Sequence, residues 1–194
     1  MGDALVRNKK YTPSAYFLYE ESAQEKHEYE NGEVFAMSGG TYNHSRIGGN
    51  VLRRLLELLD SKDCTATGSD LRVGVQEYDS FVYPDAMVIC GKIEYADGRR
   101  DVVKNPVLIV EVLSDSTELY DRGRKFKKYQ SLPSFREYVL VSQTEPIVET
   151  YFRQDDQHWL YTLTEGLEAA IQLRTIDGRI KLSDVYQRVD WLPA

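Results

Sequence analysis

The apolar positions of the chain change period several times, and each change marks an element. Thr12-Pro13 joins a helix N-cap to a proline at the first helical position, which predicts a short helix to about Ser22. In HEYENGEVFAM, Asn31-Gly32 stands between two partly alternating runs and predicts a hairpin. From Tyr42 to Leu59 the residues Ile47, Val51, Leu55, Leu58 and Leu59 recur at helical spacing, with SGGT as the entry loop. The pattern then shortens to strands: LRVGV (71–75), a turn-rich EYDS, FVYPDAMVIC (81–90) and, after a polar loop at 91–105, VLIVEVL (107–113). A further helix is predicted over TELYDRGRKFKKYQSL, ended by Pro133, and then a strand over REYVLVS (136–142). Hairpins around Gln154–Gln157 and Asp177-Gly178 complete the chain. This order of helices and strands defines an α+β fold with a mixed sheet.

Length and composition narrow the class. With 194 residues and no low-complexity segment, long linker or internal repeat, one domain is expected over 1–194, with 1–11 disordered. No apolar run approaches the roughly 20 residues of a membrane helix, and MGDALVRNKK carries no signal peptide. No membrane partner and a cytoplasmic location are therefore expected. Cys64 and Cys90 lie in apolar stretches without a CxxC pattern and read as buried free thiols rather than a disulfide or ligand pair. The net charge of −7 argues against a protein that coats nucleic acid electrostatically. It leaves room for local phosphate contacts, because RGRKFKK (122–128) holds five of the 24 Lys and Arg.

One charge breaks the hydrophobic pattern where it is densest. Six of the seven residues at 107–113 are apolar, and Glu111 stands among them. A strand of this composition is buried on both faces, where a lone carboxylate is costly. Asp85, after Pro84, is the acid of the preceding strand. Two carboxylates converging from neighbouring strands make an oxygen site suited to Mg²⁺, which is typically held by one or two carboxylates with waters and substrate phosphates. The other reading has Asp85 capping a turn and Glu111 paired with a buried Lys or Arg; spacing alone leaves both open.

VYPDAMVIC…LIVEVLS resembles the PD-(D/E)xK nuclease superfamily, specifically its Uma-type putative restriction endonuclease family. KHEYENGEV, NHSRIGGNVLRRLL, SDLRVGV and EVLSDST…DRGRKFKKYQSLPSFREYVLV extend the resemblance over about residues 12–190. It implies a restriction-endonuclease-like mixed β-sheet flanked by helices, with added N-terminal and C-terminal β-hairpins. It also implies a Mg²⁺- or Mn²⁺-dependent DNA endonuclease in which Asp85, Glu111 and the backbone carbonyl of Val112 are metal ligands. The superfamily pattern asks for lysine two residues after the acid, and Leu113 stands there instead. Lys125, on the following helix, is the replacement: Asp121, Lys125 and Tyr129 stand at i, i+4 and i+8 on one helical face. Lys127 and Lys128 are expected to be solvated or to touch phosphate, and Tyr129 to pack in the core.

Lesser candidates are Glu28, for a second ion or water orientation or else a pair with Lys26 or an arginine, and His44, for proton transfer or else a helix cap. Asp70 reads as structural, Ser114 as a loop cap, and His27 and His158 as surface residues. Zinc spacing, GxSxG, a P-loop and the second histidine cluster of a His–metal finger are all missing. The rival class is a catalytically inactive nuclease-fold module for dimerisation or regulation, which the negative charge and Leu113 would suit. A homodimer is expected from the need to grip two DNA strands, with Tyr151, Phe152, Trp159 and Tyr161 as its interface.

Overall fold

The computed structural model describes residues 10–37, 39–96 and 98–191. Helix α1 (Pro13–Ser22) starts as expected, with the Thr12 hydroxyl accepting from Ala15 N–H. Strands β1 (His27–Glu30) and β2 (Glu33–Ala36) form the first hairpin. Both turn residues, Asn31 and Gly32, have positive φ (46° and 89°), which is what a twisted two-residue hairpin turn requires. Helix α2 (Tyr42–Leu59) buries Ile47, Val51, Leu55 and Leu59.

The strands that follow alternate between two six-stranded sheets. With β1 and β2, the strands β3 (Cys64–Gly68), β4 (Arg72–Val75), β5 (Ser80–Val82), β6 (Ala86–Cys90), β7 (Tyr95–Ala96), β8 (Arg99–Val103), β9 (Leu108–Leu113), β10 (Glu137–Ser142), β11 (Ile147–Arg153) and β12 (Trp159–Glu165) supply them. The first sheet has the order β2-β1-β5-β4-β8-β7 and the second β12-β11-β10-β9-β6-β3. Only β9 and β10 are parallel in the second sheet, and the crossover between them carries helix α3, residues 118–130. The middle turn of α3, Asp121–Lys125, is π-helical. The C-terminal hairpin β13 (Ala170–Leu173) and β14 (Gly178–Lys181) leads into the short α4 (Leu182–Val185).

The second sheet is the central layer. On one face Val88, Leu108, Val110, Val112, Val139 and Val141 pack with α2 and the C-terminal hairpin. On the other, Met87, Ile89, Ile109, Leu113, Tyr138 and Leu140 pack with α3 and with Val73, Val75 and Val82 of the first sheet. Strand β9 is buried along its whole length, as its apolar run requires. Glu111 shares its face with Ile109 and Leu113, under α3.

Several local expectations are corrected. FVYPDAMVIC is two strands, because the chain leaves one sheet for the other at Tyr83-Pro84-Asp85, where proline offers no N–H to either ladder. The polar loop at 91–105 contains β7 and β8, and Val102 and Val103 are buried. Cys64 and Cys90 are not free thiols: they are directly opposed on antiparallel β3 and β6 and form a disulfide. His27 is buried, bonded through Nδ1 to Glu20 at 2.9 Å. Of the expected disorder, residues 1–9 lie outside the described residues, and Tyr11 is tied to the hairpin through its N–H to Gly32 O (2.8 Å).

Candidate active site

The sheet change at 83–85 and the end of β9 meet beneath α3, and a cavity of about 310 Å³ opens there. Glu28, His44, Asp85, Glu111, Val112 and Lys125 all line it, with Tyr83, Tyr120 and Asp121. Every candidate read from the sequence is therefore in one place.

Asp85 stands one step before the Ala86↔Val110 pair, at the mouth of the ladder. Its Oδ2 accepts the Val112 N–H at 2.7 Å and lies 3.3 Å from His44 Nε2. Asp85 thus ties itself to the backbone of β9, rather than capping a turn as the structural alternative had it, and faces the cavity at the same time. The His44 imidazole is held above its ordinary pKa by the hydrogen bond to Asp85, against the effect of burial, and the Val112 backbone adds a further hydrogen bond.

Glu111 is 2% exposed. Its Oε1 lies 2.9 Å from Lys125 Nζ and accepts the Tyr129 hydroxyl at 2.9 Å. Lys125 reaches the site despite Leu113, and also lies 3.3 Å from Glu28 Oε1 and 3.6 Å from Asp121 Oδ1. It donates to the Tyr83 carbonyl at 3.1 Å. The π turn between Asp121 and Lys125 sets this phase of the helix; such turns are rare and frequent at functional sites. Tyr129 is fully buried, as expected, and its hydroxyl serves Glu111.

Charge in the cavity is unequal. Burial pushes the Glu111 carboxyl well above the usual carboxylate range; Lys125 opposes the shift, and Asp121 and Asp85 add to it. Burial likewise raises Asp121. Burial alone would lower the Lys125 ammonium, but Glu111, Glu28 and Asp121 outweigh it and hold lysine charged. Four carboxylates face one ammonium and a rim imidazole, so the pocket favours a further cation. Among the described residues no cluster of three or more His, Cys, Asp or Glu forms a ready-made metal cage. The two-carboxylate arrangement nevertheless fits a hard ion: the contacts of Asp85 fall on Oδ2 and those of Glu111 on Oε1, leaving one oxygen of each for a ligand role.

The basic segment is put to another use than expected. Arg122 pairs with Glu118 and Glu149, Arg124 with Glu30, and Lys125 with the site. Lys128 is not solvated: it is fully buried, 2.9 Å from Glu30 Oε2 and donating to the Tyr120 hydroxyl at 2.9 Å. Three residues after Lys125 it lies only about 60° around a helix, on the same inward face. Lys26 pairs with Asp70 rather than Glu28. Tyr83 and Tyr120 were not legible in the sequence, since a tyrosine's role is set by tertiary partners. Asp121 carried a signal, its i, i+4 relation to Lys125.

The mixed sheet brings Asp85 and Glu111 from neighbouring strands together with Lys125 from the helix over them. A profile of the Uma2 family, described as putative restriction endonucleases, matches residues 13–183, and the chain belongs to that family. It is similar to two uncharacterized proteins of Synechocystis sp. (strain ATCC 27184 / PCC 6803 / Kazusa). It is 38% identical to slr1290 over 162 residues (82% of this chain, 84% of that one) and 36% identical to sll1609 over 168 residues (87% and 95%). The crystal structure of a putative nuclease belonging to DUF820 from Anabaena variabilis ATCC 29413 superimposes with a TM-score of 0.70 at 15% identity, covering 88% of this chain and 94% of that one. That likeness shows the fold, a mixed α+β architecture shared with a nuclease-fold structure. Among the described residues no helix is long and apolar enough to cross a membrane.

Proposed function

We propose that this chain is a Mg²⁺- or Mn²⁺-dependent DNA endonuclease that hydrolyses phosphodiester bonds at the Asp85–Glu111 site. The observation that carries the reading is Lys125 Nζ at 2.9 Å from Glu111 Oε1, in a cavity that Asp85 also lines. Asp85 and Glu111 would hold the ion, with the Val112 carbonyl as a further oxygen. When bound, such an ion supplies a water of lowered pKa and neutralises charge on the phosphate. Lys125, kept charged by its three carboxylates, orients the attacking water and stabilises the developing phosphorane charge. Glu28 fixes Lys125, and His44, whose pKa Asp85 raises, stands at the rim against that carboxylate.

The reading includes one domain over the whole chain and a homodimer. Of the expected interface aromatics, Tyr161 is exposed on edge strand β12, whereas Trp159 and Tyr151 pack on Phe126. Those two rings pack against the core, Phe152 lies partly buried beneath Arg174, and Tyr161 and Leu163 are the large apolar side chains this hairpin exposes. A cytoplasmic location is also part of the reading, and the Cys64–Cys90 disulfide is the observation that weighs against it.

The test is nicking of supercoiled plasmid with Mg²⁺ or Mn²⁺ by wild type, Asp85→Ala and Glu111→Ala. Loss of nicking in both variants is expected; unchanged activity in both would overturn the assignment. Inactivity of all three would favour the inactive module, which the internally paired basic segment also suits.

A further inference from the structure

Beside the site, Glu30, Lys128 and Tyr120 form a chain of polar groups that the proposed chemistry does not use and that ends on Glu28. It starts at Glu30, whose Oε1 and Oε2 take Arg124 (2.7 Å) and Lys128 (2.9 Å). Lys128 Nζ donates to the Tyr120 hydroxyl at 2.9 Å, and that hydroxyl lies 3.0 Å from Glu28 Oε2. Glu28 Oε1 accepts the Tyr83 N–H at 3.1 Å and faces Lys125 Nζ at 3.3 Å.

The direction of these bonds is fixed by chemistry. An ammonium only donates, so the Tyr120 oxygen must accept from Lys128. Its single proton is then committed to Glu28 Oε2, to which the hydroxyl donates. The Tyr120 ring lines the cavity and lies over both ammonium groups, 5.2 Å from Lys128 Nζ and 6.0 Å from Lys125 Nζ at its centroid. Packing needs the ring alone; the hydroxyl is needed only to join a fully buried lysine to Glu28.

We propose that Tyr120 is a positioning residue of the site: its hydroxyl, held by Lys128, orients the Glu28 carboxylate and through it fixes Lys125. The inference rests on Lys125 acting at the reacting phosphate, and its test separates the two. Without the hydroxyl, Glu28 Oε2 loses its donor, and the carboxylate is left to the Oε1 contacts with the Tyr83 N–H and Lys125, about which it can turn. Neighbouring groups that orient the members of such sites typically change activity by about 10–100-fold when removed.

Wild type, Tyr120→Phe, Glu28→Gln and the double variant are to be compared as full chains carrying ¹³Cε-lysine. The Lys125 signal is identified by its absence in Lys125→Arg. Tyr120→Phe is expected to shift that signal, and to shift it no further in the Glu28→Gln background. The same proteins are to be assayed for plasmid nicking. There Tyr120→Phe is expected to lower kcat about tenfold at unchanged KM for DNA, and to have almost no added effect on Glu28→Gln. A Lys125 signal that ignores Tyr120→Phe, or moves equally in both backgrounds, overturns the proposal whatever the nicking result. Coupling of the signals in a wild type that does not nick supports the positioning and overturns the endonuclease reading. Should Tyr120→Phe fail to fold, Lys128→Met must shift the same signal, and its failure to do so overturns the proposal equally.

Discussion

The molecule buries charge in two neighbouring places and treats it differently. Around Arg72, Nη1 lies 2.5 Å from Asp101, Nε 2.6 Å from the Tyr83 hydroxyl, and the guanidinium stands over the rings of Tyr16, Phe17 and Tyr83 at 5.1–5.6 Å. Arg99 forks onto Asp101 and reaches Glu21, and Glu20 takes His27. Two guanidiniums face Asp101, Glu20 and Glu21 there, and the His27 ring is bonded to Glu20. At the candidate site a single ammonium, with His44 at the rim, faces Glu28, Asp85, Glu111 and Asp121, and a cavity opens beside them. Matched charge filled with aromatic rings holds a fold together; surplus charge around a cavity costs stability and is kept for a ligand. Tyr83 belongs to both regions, through its ring on one side and its backbone on the other.

The comparison breaks most visibly if Arg72 is removed. Arg72→Met leaves Asp101 and Glu20 short of a buried partner and is expected to cost about 3–5 kcal/mol in denaturant unfolding. Nicking per folded molecule is expected to stay unchanged. A loss of nicking at full folding would show that the regions act as one, through Tyr83.

Glu111→Gln is expected to do the reverse: about 10²–10³-fold less nicking, with a gain in stability. Because burial raises the Glu111 pKa, the stability that its protonated form contributes is complete below the ordinary glutamate value, about 4.3, and is lost as pH rises through the folded value. The gain in Glu111→Gln is therefore expected at pH 8 and absent at pH 4, read by thermal unfolding at both. A variant less stable than wild type at pH 8 would mean that the surplus charge is not there.

Metal is expected to stabilise only the site. Mg²⁺ at 100 times its Kd adds about 2.7 kcal/mol to a folded state with one site. The melting temperature of wild type and Arg72→Met should rise with Mg²⁺, and that of Asp85→Asn should not. A rise in all three would place the ion elsewhere.

How much of this was legible in the sequence follows the range of the interactions. Local devices were: Thr12-Pro13, Asn31-Gly32 and the 42–59 periodicity all give the observed elements. Glu111 was legible as an anomaly, and Lys125 by its helical phase with Asp121. What failed was long-range or depended on partners. FVYPDAMVIC looks continuous because the sheet change is marked only by Pro84-Asp85 between two apolar runs. The Cys64–Cys90 pair is 26 residues apart and becomes obvious only from strand register. In RGRKFKK, Lys128 was expected to be solvated or to touch phosphate, yet it is buried, and Arg122, Arg124, Lys125 and Lys128 pair with acids from β1, β9 and β11. Tyr83 and Tyr120 are two of 14 tyrosines, and nothing in their spacing sets them apart.

The smallest expected effect sharpens the balanced side of the comparison. Asp101 is held below its ordinary pKa first by the Arg99 hydrogen bond, against burial, and then by Arg72. Its side chain is 38% exposed, so solvent screens the pair, and such partly exposed bridges are typically worth up to about 1 kcal/mol. A depressed carboxylate stabilises the fold above its unfolded pKa, near 3.9, and that stability is lost as pH falls through the lower folded value. The difference between wild type and Asp101→Asn should thus be full at pH 7 and close in acid, the opposite pH direction to Glu111→Gln. Urea unfolding of both variants across pH 2–8 measures the two slopes in one protein. If Asp101→Asn were instead stabilising at pH 7, the Arg72 region would also carry surplus negative charge, and charge balance would no longer distinguish the structural cluster from the site.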